Sequence, residues 1–204
     1  MKIVLASNNA GKLAELQTLF APLGMTLVRQ SELNIPEAAE PFKTFVENAL
    51  AKARHAAQLS GMPALADDAG LCVDAFGGQP GVDTAYYATR FGYPKGDDTN
   101  VSALLEQMLG ITNRRAAMVS TLVALRSADD PEPLIAVGRV VVQITPERRG
   151  SNGFGFDPVM WLPEFGKTFA ELPPEVKNAH SHRGRAAQAM LALMRDRWLD
   201  GSAT

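Results

Sequence analysis

The chain holds a single cysteine, Cys72, in 204 residues. No disulfide can close within it, and no Cys/His set has zinc-site spacing. It has no surplus of positive charge: 20 Lys and Arg stand against 22 Asp and Glu, for a formal net charge of −2. A general nucleic-acid binder usually shows a basic footprint, so no nucleic-acid partner is expected. No apolar run approaches the roughly 20 residues of a membrane span, so no membrane partner is expected either. The first apolar run, Ile3-Val4-Leu5-Ala6, is too short for a signal peptide. The expected location is a reducing cytoplasm.

Also absent is the ordinary phosphate loop. Walker A requires G-x-x-x-x-G-K-[ST]. Gly11-Lys12 supply the end of that pattern, but the first glycine position is Ala6 and the residue after Lys12 is Leu13. The hydroxyl that would ligate magnesium is missing.

What is present is an ordinary globular composition, 46% hydrophobic and 21% charged, enough for one sizeable core and read as a single domain, 1–204. Strands are expected at 2–6 and 25–29, and helices at 11–20, 44–60, 97–109 and 185–198. Two β-rich runs at 115–127 and 134–145 suggest a hairpin. Helices alternating with strands early and a hairpin later predict an α/β fold with a mixed sheet.

Five stretches carry chemistry. Ser7-Asn8-Asn9-Ala10-Gly11-Lys12 reads as strand, tight turn and helix start. Free N–H groups there suit an anion, and Lys12 adds charge, although an ordinary capped turn reads the same way. In the 44–60 helix, Val46, Ala49, Leu50, Ala53, Ala56 and Ala57 share one face and Glu47, Arg54 and Gln58 the other. Lys52 falls beside Phe45, at the margin of the apolar stripe. It is either a snorkelling lysine or one aimed into a cleft.

In ALADDAGLCV, residues 64–73, two carboxylates interrupt a strand-like apolar run, where unpaired charge is costly. Successive strand side chains point to opposite faces. One aspartate can bind a divalent metal while the other supports it, or one can activate water; alternatively the pair caps a turn before Gly70. In GSNGFGFDP, residues 150–158, glycines permit close approach to a ligand and an aromatic can stack on a base, unless Phe154 and Phe156 plug the core. Lys177 to Arg185 is dense in donors: Lys177 can meet phosphate as a point charge and Arg183 offers a planar fork, or the segment is a solvated helix start capped by Ser181.

Together these are the parts of a magnesium–nucleoside triphosphate site. The sequence resembles the inosine triphosphate pyrophosphatase family over essentially its whole length. SNNAGK is similar to that family's [ST]-x-N-x-x-K phosphate loop, and TFVENALAKA, ADDAGL, GGQPGV, GFGFDP and SHRGRA match its other motifs in order. The resemblance implies an elongated mixed-sheet fold with flanking helices, two lobes around a central substrate cleft, and a homodimer. It implies Mg²⁺-dependent hydrolysis of deaminated purine nucleoside triphosphates to monophosphate and pyrophosphate. Asp68 is then the catalytic acid-base residue and a metal ligand, with Glu40 the second ligand. The loop 7–12, with Ser7, Asn9 and Lys12 foremost, Lys52 and Lys177 bind phosphates, and Phe154 stacks on the base. Gly155, Phe156, Asp157, His182 and Arg183 lie near the base, and Ala69 lines the substrate site.

Three departures from the family pattern stand out. Ala69 replaces a frequent Ser or Thr. Asp83-Thr84-Ala85-Tyr86-Tyr87 lacks a common arginine. Phe156 replaces a frequent Tyr or Trp. They bear on substrate rank more than on the reaction. A modified-nucleotide pyrophosphatase of the Maf type, with a different N-terminal loop, and a nucleotide sensor without turnover are the competing expectations.

Overall fold

The computed structural model describes residues 1–199. Strand β1, Lys2–Leu5, runs into helix α1, Ala10–Phe20, and then β2, Thr26–Arg29. Helix α2, Phe45–Ser60, starts where the sequence supplies T-x-x-E. The Thr44 hydroxyl accepts from Glu47 N–H and donates to the Glu47 carboxylate at 2.6 Å, the pairing that fixes a helix start. It ends at Gly61, whose φ of 65° is the left-handed turn a glycine allows.

Strand β3, Ala64–Val73, continues unbroken through Asp67 and Asp68, which excludes the alternative of a capping turn. Helix α3, Asp97–Gln107, follows, then β4, Arg115–Leu125, and β5, Leu134–Ile144. Two short strands, β6, Met160–Leu162, and β7, Lys167–Thr168, and two helices, α4, Pro174–His180, and α5, His182–Met194, complete the order. The sheet has seven strands in the order β2-β1-β3-β4-β5-β6-β7. β1 is parallel to β2 and β3, whereas β6 is antiparallel to β5 and β7. The α/β class and mixed sheet are those expected. β3 and β4 are buried along nearly their whole length, as befits near-continuous apolar runs.

The chain divides into two compact units. One comprises Met1–Asp68, Ser120–Gly138 and the described residues from His182; the other comprises Ala69–Val119 and Arg139–Ser181. The first has two apolar clusters. In one, Ile3, Leu5, Leu16 and Phe20 pack with Leu65, Leu122, Ala187, Met190 and Met194. In the other, Ala49, Ala53, Ala56 and Ala57 pack with Val4, Ala66 and Val123. The second unit is built on Leu71, Leu104, Met108, Val142, Ile144 and Phe169.

Helix α5 begins three residues before the expected 185 and ends in a π-helical turn, Arg195–Leu199. Its first residues, His182, Arg183 and Gly184, are polar or helix-indifferent, which hid the start; all three are buried. Close packing explains the glycine opposite them. A Cβ on Gly138 would stand 1.9 Å from the His182 carbonyl oxygen and 2.5 Å from the Ala186 nitrogen. Gly138→Ala therefore destabilises the first unit by about 1–3 kcal/mol, read as a fall in Tm of roughly 2–4 °C per kcal/mol. An unchanged Tm would refute that close approach.

Candidate active site

In the first unit, β1 and β3 lie side by side, with Leu5 opposite Leu65 and the Ala6 N–H donating to the Leu65 carbonyl at 2.8 Å. That register brings the turn after β1 level with the carboxylates of β3. Within the turn the Ser7 hydroxyl accepts from Asn9 N–H at 3.2 Å, and Asn9 caps α1 by accepting from Lys12 N–H at 3.0 Å. Ala10 and Gly11 form the first helical turn, where N–H groups lack intrahelical partners. Asn8 instead points to the segment before α2, donating to Glu37 at 3.1 Å.

The Lys12 ammonium reaches inward. It donates to the Asp67 backbone carbonyl at 3.2 Å and lies 3.1 Å from Asp67 Oδ2. The same Oδ2 accepts from Arg183 Nε at 2.9 Å, and Asp67 Oδ1 accepts from Ser120 Oγ at 2.7 Å. Arg183 also donates to Glu15 at 2.6 Å. Burial alone would raise the Asp67 pKa. The Arg183 and Lys12 charges, with the Ser120 hydroxyl, overcome it and hold the carboxyl far below the usual carboxylate range. Lys12 moves down from the ordinary lysine value, because burial and the Arg183 and Lys52 charges outweigh Asp67.

One residue on, Asp68 faces a different partner. Its Oδ1 accepts from Lys52 Nζ at 2.9 Å, and the same ammonium donates to Glu40 at 2.8 Å. Asp68 Oδ2 is buried and has no hydrogen-bond partner among the described residues. Burial, with Glu40 nearby, pushes the Asp68 pKa up against the pull of Lys52 and Lys12. Burial works to lower Lys52, but the two carboxylates prevail and hold it charged. The lysine at the margin of the apolar stripe is therefore not a snorkelling one: it is buried and bridges two acids.

A second set lies in the other unit. Lys177, on α4, contacts Asp157 Oδ2 at 2.6 Å, with both residues buried. The same oxygen accepts from Phe154 N–H at 2.9 Å, and the Lys177 ammonium sits 4.8 Å from the centre of the Phe154 ring. Gly153, at φ 80°, passes so close that a Cβ there would stand 2.0 Å from Asp157 Oδ2. Gly155 N–H donates to Asp97 at 2.9 Å. Phe156 packs into the apolar core of this unit, the core-filling alternative, whereas Phe154 is half-buried. Ala69 is half-buried on β3.

Ser7, Asn9, Lys12, Glu40, Lys52, Asp68, His182 and Arg183 thus belong to the first unit, and Phe154, Asp157 and Lys177 to the second. His182 is buried at the start of α5. Sequence reasoning missed Ser120 and Glu15. Ser120 and Thr121 are the polar interruptions of the apolar run of β4, and Glu15 lies one turn after Lys12 on α1; both signals were available.

The arrangement separates two chemistries. Asp67 is saturated by donors and serves as a structural anion. Asp68 keeps a buried, unused oxygen beside a second carboxylate, an oxygen pair suited to a hard divalent cation that retains waters and takes further ligands from phosphates.

The Ham1 family profile matches residues 3–193. The dITP/XTP pyrophosphatase of Paracidovorax citrulli (strain AAC00-1) is 78% identical over 198 residues, covering 97% of this chain and all of the relative. The protein of the same description from Verminephrobacter eiseniae (strain EF01-2) is 77% identical, covering 98% and 100%. Among solved structures, a HAM1 protein from Coxiella burnetii is 40% identical with a TM-score of 0.87, over 96% of this chain and 99% of that one. The Staphylococcus aureus Ham1 protein is 34% identical with a TM-score of 0.84, over the same shares.

The depressed Asp67 pKa fixes a sign. Its ionised, paired form stabilises the fold above the unfolded pKa of about 3.9, and that contribution is lost progressively as pH falls below it. Asp67→Asn should cost about 3–5 kcal/mol at pH 7, because Arg183 loses a buried partner. The deficit should narrow at pH 3, since the mutant has no such contribution to lose. Urea unfolding of both proteins at the two pH values measures this; a constant deficit would contradict it.

Proposed function

The chain belongs to the Ham1 family, and on that premise we propose that it hydrolyses deaminated purine nucleoside triphosphates, inosine, deoxyinosine and xanthosine triphosphate, to the monophosphate and pyrophosphate. The observation that carries the reaction is the buried, unpartnered Oδ2 of Asp68 beside Glu40 and Lys52. The names of relatives above 70% identity support the substrate class.

Asp68 and Glu40 are the residues that would hold Mg²⁺, which when bound supplies Lewis acidity toward a phosphate oxygen and lowers the pKa of a bound water. Asp68 orients the attacking water and takes its proton. The water attacks phosphorus at the α–β bridge, the bridging P–O bond breaks, and pyrophosphate leaves. Lys12, Lys52 and the N–H groups at the start of α1 neutralise charge on the phosphates. Lys177 has the phosphate-binding role and Phe154 the stacking role that the resemblance implies. A cytoplasmic homodimer completes the reading.

Pyrophosphate release from inosine and adenosine triphosphates with Mg²⁺ is the direct test. Wild type should release it from the inosine nucleotide, and Asp68→Asn should lose at least about a hundredfold in kcat. Equal rates on both nucleotides would remove the purine-cleaning role. No release from either would remove the reaction.

Base choice would follow from the 6-position: a carbonyl there accepts a hydrogen bond, whereas the adenine amino group leaves the protein donor unpaired. Arg183, its guanidinium fixed by Asp67 and Glu15, is the proposed donor. Arg183→Lys keeps the charge but loses the fork. It should reduce the kcat/KM preference for inosine over adenosine triphosphate at least about tenfold; an unchanged preference would confine Arg183 to holding Asp67.

A further inference from the structure

The segment carrying Glu40 is fastened to α2 on both sides of that residue. The Asn48 side chain accepts from Phe42 N–H at 3.1 Å and donates to the Phe42 carbonyl at 3.2 Å. His55 Nε2 meets the Pro36 carbonyl at 3.0 Å. Asp68 is fixed by β3. The chain carrying each carboxylate is therefore held, and between the two acids stands the ammonium of Lys52, 2.8 Å from Glu40 Oε2 and 2.9 Å from Asp68 Oδ1. Lys52 carries its charge on a flexible four-carbon stem and can withdraw from between the two acids without moving backbone.

We infer that Lys52 is an internal counter-ion that occupies the divalent-cation position between Glu40 and Asp68, excludes the metal from the nucleotide-free protein, and yields it only when a polyphosphate draws the ammonium away. The inference rests on the reading of this pair as the metal-holding carboxylates. A divalent cation beside a lysine already bonded to both its ligands meets repulsion, and each carboxylate must give up a hydrogen bond. A triphosphate reverses both terms, since it supplies new acceptors for the ammonium and further oxygen ligands for the metal. Metal and nucleotide are then coupled, and the coupling is reciprocal: each raises the affinity for the other by the same factor. The unpartnered Asp68 Oδ2 is the second, independent sign that the position accepts a ligand. Lys52 thereby gains a role beyond phosphate contact, keeping two nearby acids compatible in the free protein.

The test is calorimetric titration of Mn²⁺ into nucleotide-free protein and into protein saturated with a non-hydrolysable α,β-imido inosine triphosphate. Wild type should bind Mn²⁺ at least about tenfold more tightly with the analogue than without it. Lys52→Met, neutral and of similar length, should bind Mn²⁺ without nucleotide at least about tenfold more tightly than wild type, and the dependence on the analogue should shrink by that factor, leaving the part due to the phosphate ligands. Lys52→Gln gives the same readout should the Met variant fail to fold. Metal uptake by wild type with the analogue, but no gain in nucleotide-free affinity in either variant, overturns the counter-ion role and leaves the pyrophosphatase reading intact. No Mn²⁺ uptake by wild type under either condition, matched by Asp68→Asn, overturns both.

Discussion

The carboxylate of Asp67 is the contact on which the first unit turns. It is buried without exposure of its side chain, and it joins four elements: its own strand β3, β4 through Ser120, α1 through Lys12 and α5 through Arg183. A buried ion pair adds little net stability compared with an apolar contact of the same shape, because both charges lose water. Its effect is on specificity. Any packing in which α1 or α5 slid along the sheet would strand a charge without its partner, and that cost confines both helices to one register. Lys12, and with it the turn that precedes it, is therefore positioned by a group that the proposed reaction does not use.

Strand periodicity separates that role from the one proposed for Asp68. Asp67 and Asp68 are adjacent in sequence, yet their side chains leave β3 on opposite faces and meet different partners. One finds a guanidinium, an ammonium and a hydroxyl. The other finds a single lysine that it shares with Glu40, and keeps an oxygen over. Two acids of identical chemistry are thus driven in opposite directions from the ordinary aspartate pKa, as happens where a site needs one fixed charge and one group able to exchange a proton.

How much of this was legible in the sequence depended on whether a signal was local. The strand, turn and helix around Asn9, the T-x-x-E start of α2 and the apolar stripe of α5 depend on residues within a turn or two of each other, and all appear in the fold. Lys52 at the edge of its stripe was legible as ambiguous; only the partners on Glu40 and Asp68 resolve it. Strands β6 and β7 and helix α4 are too short to show a period. Ser120 and Glu15 acquire meaning only through Asp67 and Arg183, 53 and 168 residues away. Phe154 and Phe156, two residues apart with the same side chain, go to different environments for reasons set by the turn geometry at Gly153 and Gly155. The family resemblance names candidate site residues, but not which of them neutralise one another.

That mutual neutralisation recurs. Lys12 is bonded to Asp67, Lys52 to Glu40 and Asp68, and Lys177 to Asp157. Each lysine assigned to phosphate already has a carboxylate in the free protein. A phosphate arriving at any of them does not meet a bare cation; it competes with an acid that is close and held by the fold. An anion with one phosphate group has little advantage in that exchange, since it leaves each released carboxylate without a new partner. A polyphosphate with a divalent metal differs, because its several oxygens engage more than one lysine while the metal compensates the acids that are released. Under the proposed function, pairing in the free state would act as a filter that favours a metal-bound polyphosphate over an anion with a single phosphate group.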